Sequence, residues 1–598
     1  MRAQDGGLFA RIRRGGQALR MAWESAPATA GAWIAVAGVV ALLPLGVAWV
    51  GKAIVDAVVA RDIEPALTWV IVELALVAVI GAAQRGAGVL RALLGVRLAL
   101  FVNLKILRKA LTLELSHFQD PEFYDKLTRA RREAASRPLA LAAELLGLAG
   151  ATATLIGFIA LLLSLSPLAV LVLVAAAFPA ALAELRFSRQ AYDLRHRRAT
   201  EARQLSYLEY VLASDEHAKE VMMLGLGPPL LARYEAIGER LFREERGLSV
   251  RRTLWVTLLS QLGTLSFYGC YLWIVWRAVA GELGLGEMTL YVVAFRQCQQ
   301  SFQSILLGLG SLVEHELYMS NLLEFLAIPT GSTERRALPP APAESPQERG
   351  IRFEGVGFRY PGQREFALRN IDLFVPAGET MALVGHNGAG KTTFIKLLTG
   401  LYEPTEGRVL LDGRDLRSIP RDELRRRLAV MFQDYNQYQL TARENVGYGS
   451  PEQIEDGARI ARAVDDGGAR EVVDALPQGL GTQLGRWFPG GVELSGGQWQ
   501  RVALARAFMR READVLVLDE PTAALDIDAE AEVFARVRSL AAGRTLLLIS
   551  HRFANVRTAD RIVVLERSGV VEAGTHDQLI ARGGLYAAMF RKQAQGYA

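Results

Sequence analysis

Gly385-His386-Asn387-Gly388-Ala389-Gly390-Lys391-Thr392 decides how this chain is read. Before it runs the apolar stretch Met381-Ala382-Leu383-Val384. After it comes Thr393-Phe394-Ile395-Lys396-Leu397-Leu398, whose spacing predicts a helix that ends by Gly400. A strand, a glycine loop and a helix in that order form the setting of a phosphate-binding P-loop. Glycines let the backbone curl until successive N–H groups point inward, and the helix N-terminus adds partial positive charge. Lys391 then reaches the β- and γ-phosphates, and Thr392 offers a hydroxyl to Mg2+. An ordinary glycine-rich turn accounts for the glycines but not for Gly-Lys-Thr in this position, so the stretch is read as a nucleotide-binding loop.

Working outward, residues from Ile351 onward alternate short apolar runs with amphipathic helices, the sign of an α/β domain with a largely parallel sheet. Arg359-Tyr360-Pro361-Gly362 lies upstream of the loop and offers an aromatic ring to a base. Val515-Leu516-Val517-Leu518 reads as a buried strand that ends in Asp519-Glu520. One acid there suits Mg2+, and its neighbour suits polarisation of an attacking water. Leu494-Ser495-Gly496-Gly497-Gln498 is a second glycine turn, before a helix expected over Gln500 to Arg510. One nucleotide does not need two such loops from one chain. A two-fold dimer, in which each second loop closes over the partner's γ-phosphate, explains both.

The first half has a different composition. Across 598 residues, 51% are hydrophobic and the mean hydropathy is +0.18, which points to long apolar segments. Six stretches are expected to cross a bilayer of roughly 30 Å hydrocarbon: Ala28–Val50, Ala66–Ala83, Leu139–Ser164, Leu168–Ala183, Leu254–Trp276 and Met288–Phe295 continuing toward Leu312. The last is interrupted by Arg296, Gln297, Gln299, Gln300 and Gln303. Leu8 to Trp23 reads as an amphipathic helix along the membrane surface or as a solvated tail. The link between spans two and three carries Arg91, Arg97, Lys105, Arg108, Lys109, Lys126, Arg129, Arg131, Arg132 and Arg137, whereas Leu165-Ser166-Pro167 separates spans three and four. Cations stay in the cytosol, so both termini and the second half are expected there, in a plasma or inner membrane.

Spans two to five are expected to continue as long intracellular helices with tips near His117-Phe118-Gln119-Asp120-Pro121-Glu122-Phe123-Tyr124 and Ser214-Asp215-Glu216-His217. Glu73, Glu144 and the Arg296–Gln303 cluster are polar groups at membrane depth, suited either to substrate contact or to helix-to-helix bonding. Ile328 to Gly350, with Pro339-Pro340-Ala341-Pro342, reads as a linker. The expected domains are therefore a membrane domain over 1–327, a linker over 328–350 and a nucleotide-binding domain over 351–598. Only Cys270 and Cys298 are present, which excludes a disulfide framework. The net charge of +5 and pI near 9.1 are mild, and no nucleic-acid partner is expected.

Together these motifs resemble an ABC transporter of the exporter type, with one helical polytopic membrane domain fused to one α/β P-loop ATPase domain. The resemblance implies that Tyr360 stacks on adenine and that Gly385, His386, Asn387, Gly388, Ala389, Gly390, Lys391 and Thr392, with Thr393 beside them, form the Walker A loop. It implies that Gln433 senses Mg2+ and the membrane domain, and that Ser495, Gly496, Gly497 and Gln498 contact the partner's ATP. Asp519 would serve the metal, Glu520 would be the general base, Asp526 would lie in an inter-subunit loop and His551 would be the switch histidine. Arg486 stands where many exporters have an acid, and no peptidase domain is expected before the first span. The implied activity is ATP hydrolysis, with Mg2+, coupled to transport of an amphipathic, peptide, lipid or drug-like substrate. The implied assembly is a homodimer of twelve spans, with a heterodimer also open. An importer of the same architecture, a lipid flippase and a non-transporting regulator are the alternatives, whereas the apolar spans argue against a soluble ATPase.

Overall fold

The computed structural model describes residues 8–120, 123, 127, 137–329, 349–523 and 527–595. Several positions singled out above therefore lie outside the described residues: Pro121, Glu122, Tyr124, Lys126, Arg129, Arg131 and Arg132, residues 330–348 of the linker, and Ala524-Leu525-Asp526. The chain divides into two compact units: Met1–Leu111 with Pro121–Pro329, and Thr112–Asp120 with Thr330–Ala598.

The first unit is helical. Among its described residues, five helices are long and apolar enough to cross a membrane: Pro27–Val59, Ile63–Ala110, Arg137–Leu163, Pro167–Ala191 and Gly227–Val279. They contain the first five expected spans, save that the third helix ends at Leu163, one residue short of the expected Ser164. The sixth lies on one continuous helix, Leu285–Ala327, but it is less apolar than those five, because Arg296 and its neighbouring glutamines fall within it. The helices leave large apolar side chains uncovered, among them Ile71 (65% exposed), Leu74 (68%) and Leu272 (72%). Lipid solvates such a surface, and a helix satisfies all its own backbone groups there.

As expected, the second and fifth spans run far beyond hydrocarbon thickness. Ile63–Ala110 has 48 residues and Gly227–Val279 has 53, about 70–80 Å at the α-helical rise. The second expected tip falls where an extended Ser214 breaks the helix Ala199–Ala213 and a short helix, Asp215–Met223, follows.

In the second unit, β1 (Gly350–Phe358), β2 (Leu368–Pro376), β4 (Glu406–Leu411) and β5 (Arg414–Asp415) form a four-stranded sheet in the order β2-β1-β4-β5, with antiparallel pairs throughout. A six-stranded sheet runs β10-β9-β3-β8-β7-β6, from β3 (Thr380–Gly385), β6 (Leu428–Met431), β7 (Val515–Asp519), β8 (Thr545–Ile549), β9 (Arg561–Glu566) and β10 (Gly569–Gly574). Its pairs are parallel except β10 with β9. The parallel sheet meets expectation, and β7 and β8 are buried at every residue, as strands covered on both faces must be. The antiparallel sheet was not foreseen as a separate layer. The helix Lys391–Leu398 packs into the same core as that sheet, with the Phe394 ring stacked on Phe353 at 4.1 Å between centroids.

Candidate nucleotide site

The strand order brings the site together. Strands β3, β8, β7 and β6 lie side by side and parallel, so their carboxyl ends open on one edge of the sheet, where ligands of α/β folds bind. The chain leaves β3 through the glycine loop to Lys391, β8 through Ser550 to His551, β7 from Asp519 to Glu520, and β6 through Phe432 to Gln433. Four separate sequence signals thus converge through one register. They line a cleft of about 680 Å³ together with Tyr360, Gln363, Glu365, Phe366, Ala367, Asn387, Gly388, Gly390, Thr392 and Thr393.

The loop needs its glycines at particular points. Gly388 has φ +82° and Gly390 φ +103°, in the left-handed half of backbone space. A Cβ on Gly390 would also lie 2.8 Å from the Ala367 carbonyl oxygen. Gly390 is followed directly by the helix Lys391–Leu398, so the first N–H groups of that helix have no carbonyl within it and are left to a ligand. The Lys391 ammonium donates to the carbonyls of Gly385 at 2.7 Å and His386 at 3.1 Å, which fixes it over the loop. Burial lowers its pKa, and Glu520 and Asp519 oppose that shift. The Tyr360 hydroxyl is 3.0 Å from Thr393 Oγ1, and its ring meets Phe358 and Tyr402 edge-on at 5.0 and 5.5 Å.

Glu520 is the most constrained of the acids. Its backbone is left-handed at φ +49°, its N–H donates to the Ile549 carbonyl at 2.9 Å, and its own carbonyl accepts from Gln500 Nε2 at 3.1 Å. One carboxylate oxygen lies 2.8 Å from His551 Nε2, and the other accepts from Gln433 Nε2 at 3.2 Å. Asp519 is 2% exposed, and its Oδ2 has no hydrogen-bond partner. Burial and then the neighbouring Glu520 charge push its pKa up to about 6, against the pull of Lys391. A buried carboxylate oxygen that lacks a donor and sits beside a second acid fits an oxygen-seeking divalent cation. Among the described residues no group of three His, Cys, Asp or Glu could hold a metal without help. A cation here would therefore rely on hydroxyl, amide and phosphate oxygens as well.

The second glycine turn lies elsewhere. Ser495 caps the helix Gly496–Phe508 in a capping box with Gln498: Ser495 Oγ accepts from the Gln498 N–H at 3.3 Å, and Gln498 Oε1 accepts from the Ser495 N–H at 2.9 Å. That box starts the helix four residues before the expected Gln500. Ser495 and Gly496 are exposed, and none of Ser495, Gly496, Gly497 and Gln498 lines the cleft. Arg486 pairs with Glu493 at 3.3 Å at the surface and is 76% exposed.

Sequence reading missed Gln500, whose contact with the Glu520 carbonyl depends on helix packing, and Gln363, Glu365 and Phe366, which follow Tyr360 into the cleft wall. In the membrane unit it missed Glu184, 3% exposed, which accepts from Arg252. Glu184 directly follows an apolar run, and nothing in the sequence pairs it with a residue 68 positions away. Glu73 and Glu144 are half-buried and Arg296 is exposed.

A family profile described as "ABC transporter" matches residues 368–523. The subtilin transport ATP-binding protein SpaT of Bacillus subtilis is 33% identical over 490 residues, 82% of this chain and 79% of that protein. The chain belongs to the ABC transporter family. The nisin transport ATP-binding protein NisT of Lactococcus lactis subsp. lactis is 28% identical over 501 residues, 83% of this chain and 82% of its own length. An ATP-dependent lipid A-core flippase of Ralstonia nicotianae is 47% identical, but over 41% of this chain and 40% of its own. The solved structure of a bacterial Atm1-family ABC exporter with ATP bound superposes with a TM-score of 0.73 at 24% identity, over 98% of each chain, and so shares the fold. This ABC transporter is therefore a membrane protein of the exporter type that binds ATP and couples its hydrolysis to transport.

Proposed function

We propose that the cleft at the ends of β3, β6, β7 and β8 hydrolyses ATP by one concerted set of side chains and that two copies of this chain work together. The observation that carries the reading is the Glu520 carboxylate, held between His551 Nε2 at 2.8 Å and Gln433 Nε2 at 3.2 Å in the cleft that Lys391 enters. Tyr360 takes the adenine face. The N–H groups of Gly385 to Thr393 and the Lys391 ammonium bind the β- and γ-phosphates. Glu520 accepts the proton of the water that attacks the γ-phosphorus, and the bond to the ADP oxygen breaks. Gln433 and His551 hold the carboxylate in line. Thr392, Gln433 and Asp519 would hold Mg2+, which supplies positive charge to the phosphate oxygens when bound.

The position of Ser495, Gly496, Gly497 and Gln498 away from their own chain's cleft, with Ser495 and Gly496 exposed, supports a homodimer in which they close over the partner's nucleotide, with Asp526 in the loop between subunits. The cation-rich links support an orientation with both termini and the ATPase in the cytosol of a plasma or inner membrane. The functional divisions are a membrane domain over 1–327, a linker over 328–350 and an ATPase over 351–598.

For the cargo, the reading favours the kind of molecule named in the subtilin and nisin transport proteins over lipid A core. Matches over 490 and 501 residues necessarily take in much of the membrane unit, whereas the flippase match covers two-fifths of the chain. The test uses inside-out vesicles that contain the full chain. ATP-dependent uptake of nisin or subtilin is expected, with no response to lipid A core. Translocation of lipid A core alone would overturn this choice of cargo.

A further inference from the structure

His551 is 44% exposed at its side chain, so packing does little to fix its ring, and the backbone of its turn must do so. That turn is held from two sides. On one side Glu530, 9% exposed, accepts from Asn555 Nδ2 at 2.6 Å, from Thr522 Oγ1 at 3.0 Å and from Arg552, which ties the turn to the segment just beyond Glu520. On the other side stands Gln593 of the helix Leu585–Gln595. Its Nε2 donates to the His551 carbonyl at 2.9 Å, and its Oε1 accepts the Phe553 N–H at 3.0 Å. One carboxamide thus bridges the main chain on both sides of Arg552.

The helix that carries Gln593 is itself fixed against the turn. Phe553 packs edge-on against Tyr586 at 5.4 Å and Phe590 at 5.8 Å, and the Tyr586 hydroxyl is 2.8 Å from His576 Nδ1. A clamp with so little freedom sets where the Cα of His551 lies, and hence whether Nε2 reaches Glu520.

We infer that Gln593 is a positioning residue for ATP hydrolysis and that it acts through His551. The C-terminal helix is thereby part of the hydrolytic apparatus, although it contributes no group to the cleft. This rests on the assignment of His551 above, so the test separates the two.

The experiment measures ATPase activity of the full chain in lipid nanodiscs. Gln593→Ala is expected to lower kcat about tenfold, within the hundredfold that a misplacement of an ångström costs, and to change KM for ATP by less than about twofold. Gln593→Glu keeps the acceptor for Phe553 but sets an oxygen against the His551 carbonyl, and it should fall at least as far. In a His551→Ala background Gln593→Ala should change kcat by less than about twofold, because the two residues act in series. If His551→Ala is impaired and Gln593→Ala turns over like the unmodified chain, the inference fails and the reading of the cleft stands. Equal losses in both backgrounds, or a raised KM with unchanged kcat, also overturn it by giving Gln593 a role separate from His551. If His551→Ala itself hydrolyses ATP at full rate, the assignment of His551 fails and takes Gln593 with it.

Discussion

Glu520 combines an unfavourable backbone with four side-chain and main-chain tethers, and its consequences are chemical. Gln at this position keeps the shape, the φ of +49° and a partner for Gln433, but it cannot take a proton from water. Glu520→Gln should therefore retain ATP binding and lose about a hundredfold or more of its phosphate release. Equilibrium binding of a labelled nucleotide beside a phosphate assay checks both halves. Residual hydrolysis near the normal rate would remove Glu520 from the role of base. Much of this chemistry could be read from the chain before any coordinates. Lys391, Asp519 and Glu520 sit in local patterns whose strand context is itself local. His551 was legible only through resemblance, since a lone histidine after an apolar run carries no spacing. Gln500 and Gln593 were not legible, because their partners lie 20 and 42 residues away and are chosen by packing.

Secondary elements turn these patterns into a site. The helix Lys391–Leu398 begins at the glycine loop and buries Thr393, Phe394, Ile395, Leu397 and Leu398, so its burial sets the aim of Lys391 and Thr392. Phe394→Ala removes a fully buried ring stacked on Phe353 and should cost about 3–5 kcal/mol, with Phe394→Leu costing less. Denaturant unfolding of the ATPase unit, followed by tryptophan emission in the full chain, measures the difference. A loss below about 1 kcal/mol for Ala would show that the core closes over the gap. The parallel strands were readable as apolar runs, but the antiparallel sheet was not. Its central pair joins Phe353 to Val409, and nothing local to either strand names the other. In the membrane unit, apolar length announced five helices plainly. The sixth required a helix to be inferred across Arg296 and four glutamines.

Assembly gives the strongest test of the two-copy reading. If the turn at Ser495 of one chain completes the cleft of the other, Lys391→Ala and Ser495→Arg should each abolish hydrolysis alone. A mixed dimer would gather both defects into one composite cleft and leave the second intact. Co-expression should then restore about a quarter of normal ATPase activity if chains pair at random and sites act independently. No restoration at all would favour sites completed within one chain.

The C-terminal unit also draws on two stretches of polypeptide, because Thr112–Asp120 packs with it. Leu115 lies against its core, and Gln119 accepts a hydrogen bond from the Tyr402 hydroxyl. Severing the protein after the proline-rich linker therefore removes these contacts from the ATPase. The excised ATPase would lack nine residues that pack with it, Gln119 on the Tyr402 hydroxyl among them, so rates taken from such a truncation are to be set beside those of the full chain.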